Sequence, residues 1–210
     1  MPNQTADRIL DQALALFNEK GVEQVSLREI AASMGITHGN LRYHFPGKDA
    51  VVKALFDRCE KEVDQAVAEL IQGEVTISLL ARISRAQAEH LWQFRFLLDH
   101  MVAVCQAYPY IKRGMQAMYR RREEELKALL QFLRQGGYLR SELDEVNEAM
   151  VIKQYLMIVD FAPGFISIFS ESASPAEQFE EYAQMWLSLL VPWLSPAGKL
   201  AWEKTRVPSK

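Results

Sequence analysis

"SLREIAASMGITHGNLRYHFPGK", Ser26 to Lys48, is the stretch whose punctuation decides how this chain folds. Ser26 followed by Glu29 has the S-x-x-E spacing of a capping box, in which a hydroxyl and a carboxylate satisfy the free N–H groups that open a helix. That spacing predicts a short helix over 27–34 with Ile30, Ala31 and Met34 turned inward. Gly35 ends it, because glycine enters the left-handed conformation that closes a helix without a Cβ clash. Thr37 is an N-cap for a second helix, which Pro46-Gly47 terminates. Two short helices joined across a glycine-containing turn are the helix-turn-helix arrangement, whose second helix enters the major groove of DNA while the first crosses the backbone.

Other uses of the segment fare worse. His38 and His44 are six residues apart, so on a helix they diverge by about 240°. No nearby Cys, Asp or Glu completes a zinc ligand set, so no metal is expected. Residues 35–48 contain no carboxylate, serine or cysteine, and the chain has no G-x-S-x-G, P-loop or G-x-G-x-x-G. Neither an enzyme nor a cofactor site is therefore expected. On a wheel begun at Thr37, Leu41 and Phe45 fall together and define the inner edge. Arg42, Gly39, Tyr43 and Asn40 occupy the opposite arc, flanked by His38 and His44. A guanidinium suits guanine, a carboxamide suits adenine, and phenol and imidazole suit phosphates. Gly39 lets a backbone approach closely, and the helix starts at Ser26 and Thr37 offer N–H groups to phosphates.

The 210 residues suffice for one large domain or two small ones, and 49% hydrophobic with 24% charged residues is an ordinary globular balance. The formal net charge is −3, yet residues 26–53 hold four basic groups (Arg28, Arg42, Lys48, Lys53) against two acids (Glu29, Asp49). A small basic end on an acidic body is compatible with local DNA binding. No apolar run approaches the ~20 residues that span a bilayer. The start "MPNQTADRIL" lacks the basic and apolar regions of a signal peptide. Cys59 and Cys105 lack CxxC spacing and read as buried thiols, so a cytoplasmic location is expected, with no membrane partner.

Helical periodicity dominates the rest and predicts an all-α chain. Residues 5–20 form one amphipathic helix that Gly21 stops, and a long helix runs from Lys48 to about residue 72, closed by Gly73. Further helices fall at about 76–94, 96–107, 110–135, 143–169 and 175–193. Pro163-Gly164 is expected to kink or break its helix. In "YRRREEELK", residues 119–127, i,i+4 pairs of opposite charge predict a self-compensated solvent face. The expected division is a three-helix helix-turn-helix domain over 1–50, a helical domain over 51–195, and a short helix or disordered tail over 196–210.

Residues 9–56, "ILDQALALFNEKGVEQVSLREIAASMGITHGNLRYHFPGKDAVVKALF", resemble the TetR family of bacterial transcriptional regulators. The resemblance is carried by Phe17, Gly21, Ser26, Ile30-Ala31, Gly35-Ile36, Gly39, Leu41, Tyr43, Phe45, Lys48 and the long helix that follows. Arg42 departs from the pattern, standing where an aromatic residue is commonest. The resemblance implies phosphate contacts at Ser26, Thr37, Tyr43, His44 and Lys48, and base contacts at Arg28, His38, Asn40 and Arg42, around Gly39.

Beyond about residue 73 the resemblance implies a ligand-binding and dimerisation domain. The apolar stripe Phe179, Tyr182, Met185, Trp186, Leu189 and Trp193, with Phe165 in the apolar run 150–169, is the expected dimer interface, although half of it would serve equally as core. Trp92, Phe96, His100, Met101, Tyr108, Met118, Tyr119, Tyr155 and Met157 are candidates for an effector pocket, or for plain core. His90, His100 and Asp160 are the polar groups that stand out within apolar runs. The expected protein is a homodimeric repressor of double-stranded DNA, bound to a palindromic operator and released by a small, largely apolar effector. An activator of the same fold, and a helical ligand carrier or adaptor without DNA binding, are the alternatives.

Overall fold

The computed structural model describes residues 3–70, 75–169 and 174–205. Among these the regular structure is helical, with one isolated antiparallel bridge between Leu139 and Leu194. The chain forms two compact units. One comprises Met1–Glu62 with His90–Gly114, the other Val63–Glu89 with Met115–Lys210. The division expected near residue 50 follows chain order, whereas these units interleave.

The first unit holds α1 (Asn3–Lys20), α2 (Leu27–Ser33), α3 (His38–His44) and the start of α4 (Lys48–Leu70). The predicted caps are present. Ser26 Oγ accepts from the Glu29 amide at 3.2 Å, and Thr37 Oγ1 accepts from the Asn40 amide at 3.1 Å. Gly35 sits at φ +67°, in the left-handed region that suits glycine. Lys20 donates to Glu29 at 2.8 Å and holds that carboxyl below its usual range. Ile9, Ala13, Phe17, Ile30, Leu41, Val51, Val52 and Leu55 are all buried and form the core around which the three short helices pack.

The later segment of the same unit carries the end of α5 (Ile77–Gln93), α6 (Arg95–Asp99), α7 (Met101–Ala107) and the start of α8 (Pro109–Gln135). The single helix predicted over 96–107 is thus two helices with His100 between them. Asn18 stitches α6 to α1: its Nδ2 donates to the Gln93 carbonyl at 2.7 Å and its Oδ1 accepts from the Phe96 amide at 3.1 Å. The Phe17 and Phe96 rings meet beside it, 5.4 Å apart.

The second unit packs α5, α8, α9 (Glu145–Phe169) and α10 (Pro175–Leu187) around Leu80, Leu130, Leu133, Leu143, Ile152, Leu156, Leu187 and Leu190. Of the kink or break expected at Pro163-Gly164, the break does not occur: α9 runs from Glu145 to Phe169 as one helix. The helix predicted over 175–193 instead ends at Leu187 and tightens into a 3-10 helix over Ser188–Trp193, which contains Pro192. Proline has no N–H to donate and its ring crowds the carbonyl four residues back, so an α-helical turn ahead of Pro192 is disfavoured. Arg85 pairs with Glu180 through two bonds of 2.6 and 3.0 Å.

The tail after residue 195 begins as an ordered helix, α11 (Pro196–Glu203), capped by Ser195. Gly198 lies so close to the Tyr138 carbonyl that a Cβ there would sit 2.2 Å from its oxygen. The rest of the expected tail, residues 206–210, and Gly73 lie outside the described residues. Cys59 is buried as expected, whereas Cys105 is half-buried. Among the described residues no helix is long and apolar enough to cross a membrane.

Candidate nucleic-acid interface

α3 is fixed from within. Leu41 and Phe45 are buried against the unit's core, so the remaining faces of this two-turn helix point outward. Gly39, Asn40, Arg42 and Tyr43 are exposed, Tyr43 at 86% of its maximum, while His38 and His44 are half-buried at the margins. The Tyr43 ring meets the His44 ring edge-on, with centroids 5.3 Å apart. Arg42 donates through Nε to the Pro46 carbonyl at 3.3 Å. That bond anchors the root of the guanidinium against the helix end. Ser26, Arg28 and Thr37 are exposed as well, so both capped helix starts are open to solvent.

Lys48 differs from the expectation of a phosphate contact. Its ammonium donates to the carbonyls of Val22, Val25 and Glu23 at 2.7, 3.0 and 3.3 Å. An ammonium has three donors, and here all three go to the loop ahead of α2. The charge is committed inside the unit, where it ties the first residue of α4 to the backbone that enters the helix-turn-helix.

The second unit contains a cavity of about 390 Å³. Val67, Ala68, Leu80, Ile83, Leu126 and Leu129 supply its apolar wall, and Asp64, Gln87, Arg121, Arg122, Glu125 and Tyr155 its polar one. Size and lining are those of a small-molecule site. Tyr155 donates to Gln87 Oε1 at 2.8 Å, and burial raises its phenol pKa well above the usual value. Arg122 bonds to Asp64 and, at 2.7 Å, to Glu125.

Of the nine pocket candidates, Tyr155 lines this cavity. Trp92, Phe96, His100, Met101 and Tyr108 belong to the other unit, where Phe96 and Tyr108 are buried core, Trp92 stacks under Arg95, and His100 is exposed. Met118 and Tyr119 on α8 are half-buried, outside the cavity wall, and Met157 is exposed on α9. Sequence reasoning missed Asp64, Gln87 and Arg122. The signal was the run Arg120-Arg121-Arg122. Three consecutive side chains cover about 200° of a helix, so they cannot all share one solvent face. Arg121 does pair with Glu125 at 3.7 Å as expected, but Arg122 turns inward.

The expected interface stripe also divides. Tyr182 is buried core and donates to the Val159 carbonyl at 2.8 Å, while Leu189 and Trp193 pack partly buried against the same core and Met185 is half-buried. The side chains of Phe179 and Trp186 lie outside the described residues. Phe165 is exposed, and it has company: Val146, Met150, Met157, Phe161 and Ile168 on α9 are exposed too. These six fall within an arc of about 100°. Among the described residues no three potential metal ligands come together.

A capped helix-turn-helix with a polar outward face, in a chain whose other unit is helical and holds a cavity, is the arrangement of a transcriptional regulator. Residues 9–55 match the profile described as "Bacterial regulatory proteins, tetR family", and residues 55–201 that of the TetR "Bacterial transcriptional repressor". The chain belongs to the TetR family, and it is a transcriptional regulator rather than an enzyme. It is 35% identical over 66 residues to the HTH-type transcriptional regulator AcrR of Shigella flexneri, a match covering 31% of each chain. It is 42% identical over 55 residues to IcaR of Staphylococcus aureus (strain Newman), the HTH-type negative transcriptional regulator of the biofilm operon icaADBC, covering 24% of this chain and 30% of that one. The chain thus spans under a third of these curated relatives. A TetR-family regulator from Marinobacter aquaeolei VT8 superposes with a TM-score of 0.85 at 22% identity, covering 97% of this chain and 100% of that one, which establishes a shared fold.

Proposed function

We propose that this protein represses transcription as a homodimer, with the α3 helices of two copies in successive major grooves of a palindromic operator. The observation that carries this reading is the outward face of α3. Asn40, Arg42 and Tyr43 stand exposed on a helix that buried Leu41 locks in place. Arg42 and Asn40 are the side chains that read guanine and adenine edges, and Tyr43, Ser26 and Thr37 suit the flanking phosphates. Arg28, His38 and His44 border the same face.

Dimerisation is supported by α9. A helix with apolar side chains on its exposed face as well as on its buried one can bury the exposed set only against a second apolar partner. The exposed stripe from Val146 to Ile168, interrupted by Lys153 and Gln154, offers a second copy an extended surface that water covers at a cost. Repression is favoured over activation because IcaR, one of the similar proteins, is a negative regulator. An effector in the second unit's cavity would loosen DNA binding, and the protein would act in the cytoplasm.

Selection of binding sites from random double-stranded DNA tests the reading. A palindrome with half-sites centred about 34–36 Å apart supports it, and recovery of unrelated or single-half sequences overturns it. A reporter in cells lacking the protein gives the polarity: expression from the selected operator rises if it represses.

A further inference from the structure

The chemistry of the cavity in the second unit points to a particular class of effector. Its charged groups sum to zero: Arg121 and Arg122 against Asp64 and Glu125. The charges are nevertheless not equally placed. The Arg122 side chain is 13% exposed, whereas those of Asp64 and Glu125 are 44% and 48% exposed. A carboxylate that already faces water can leave its partner at little cost, because exposed ion pairs contribute little. A largely buried guanidinium cannot be left alone, since an unpaired buried charge is strongly destabilising. A ligand can therefore take the place of an acid here, but not the place of Arg122. Its head must accept hydrogen bonds and is best anionic.

The apolar part of the lining specifies the body. Leu80, Leu126, Leu129 and Tyr155 line this cavity and also line a narrow adjoining void, otherwise walled by leucine, isoleucine and valine side chains. The void holds about 20 Å³, room for a slender group and not for a ring system. Leu126 and Leu129 lie one and two turns along α8 from Arg122 on the same face, so the thin apolar extension opens beyond the polar groups along that helix.

We propose that the cavity takes a single-chain amphiphile with an anionic head, which replaces the Asp64 carboxylate on Arg122 and Arg121 while the chain runs past Leu80, Leu126 and Leu129. This rests on reading the unit as the effector-binding part of the regulator. Asp64 belongs to α4, and both arginines belong to α8. Arg121 reaches Asp64 at 3.1 Å, and Arg122 bonds to the same carboxylate. Head-group exchange therefore releases α4 from α8 at one residue, and converts occupancy into freedom of the helix whose first residue, Lys48, holds the loop ahead of α2.

The test uses the full chain and three homologous probe series kept below their micelle concentrations. These are octanoate, decanoate and dodecanoate, the matching primary alcohols, and the matching alkyltrimethylammonium ions. Calorimetric titration should find a carboxylate bound at least about ten-fold more tightly than its alcohol, a difference of about 1.4 kcal/mol. The ammonium ions should be the weakest. Arg122→Gln should erase the preference for carboxylate and keep alcohol binding, and Leu129→Trp should weaken both. Asp64→Asn should tighten carboxylate binding several-fold and weaken operator binding in the absence of any probe. Equal binding of carboxylate and alcohol, tighter binding of the ammonium ions, or no binding in any series overturns the proposal on the wild-type chain alone, whatever the variants do. If the carboxylate preference is found while no DNA site is ever bound, the assignment of the cavity stands and the repressor reading fails.

Discussion

Lys48 donates to the Val22 carbonyl at 2.7 Å, and through its other two donors to Val25 and Glu23, so the first residue of α4 is clasped to the loop that leads into α2. Removing the ammonium takes a donor from three carbonyls, those of Val22 and Val25 in a half-buried place, although Val22's still accepts from the Val25 amide at 3.4 Å. Lys48→Ala should therefore lower unfolding free energy by about 1–3 kcal/mol, the range for losing hydrogen bonds to a charged group, measured by urea titration. A residue serving only as a phosphate contact would leave stability unchanged, and its loss would reduce the salt slope of DNA binding by about 1.

The α9 stripe predicts where a dimer is broken. Phe161→Glu combined with Phe165→Glu puts two carboxylates on the exposed apolar arc. Sedimentation should show a monomer with wild-type helicity. Tyr182→Phe loses one hydrogen bond inside the core, to the Val159 carbonyl, and should cost about 1 kcal/mol without changing the oligomeric state. A Phe161/Phe165 double variant that sediments like the wild type would remove α9 from the interface.

Asp160 makes stability depend on pH. Burial pushes its carboxyl up to about 6, with the buried Tyr155 and Tyr182 phenols as its neighbours. In the unfolded chain an aspartate titrates near 3.9. Between these values the folded state binds the proton and the unfolded state does not, so this group's contribution falls as pH rises from about 4 to about 6, then levels off. Asp160→Asn removes the ionisation. It should be more stable than the wild type at pH 7.5, by up to about 3 kcal/mol, and the gap should close toward pH 4. Parallel stability curves for the two proteins across that window would contradict the assignment.

The helix caps offer a milder perturbation of the same DNA-facing surface. Thr37→Ala deletes the acceptor of the Asn40 amide and should cost about 1 kcal/mol of stability. Operator affinity should fall with it, because the first turn of α3 carries Gly39 and Asn40. Thr37→Ser retains the acceptor and should restore most of both, as judged by thermal melts and gel shifts.

The helix-turn-helix was legible in the sequence because every signal for it is local. Ser26 and Thr37 cap through neighbours three residues on, Gly35 ends α2 by its own conformation, and Leu41 and Phe45 are one turn apart. The second unit was legible only as helices. α9 has apolar residues on its buried and its exposed faces alike, so periodicity does not say which face meets the core and which stays exposed. Arg122 was hidden for a different reason: the acids that follow it in sequence, Glu123 to Glu125, suggest a solvent pair, but Asp64 is 58 residues away. Tyr155 was one of nine aromatic, methionine and histidine candidates in the sequence, and nothing local marked it, because its partner, Gln87, is 68 residues distant. The helix end at Leu187 had a readable cause in Pro192, which the apolar stripe over 179–193 outweighed.

The central claim is that the exposed arc of α3 reads bases and that Arg42 reads one of them. Site selection from random DNA, run in parallel on the wild type and on Arg42→Ala, tests it most directly. The wild type should return a palindrome. The variant should return the same palindrome with preference lost at one position in each half-site, matching a loss of about 1–3 kcal/mol of discrimination there. Identical preferences at every position for the two proteins, or no palindrome from the wild type, would contradict it.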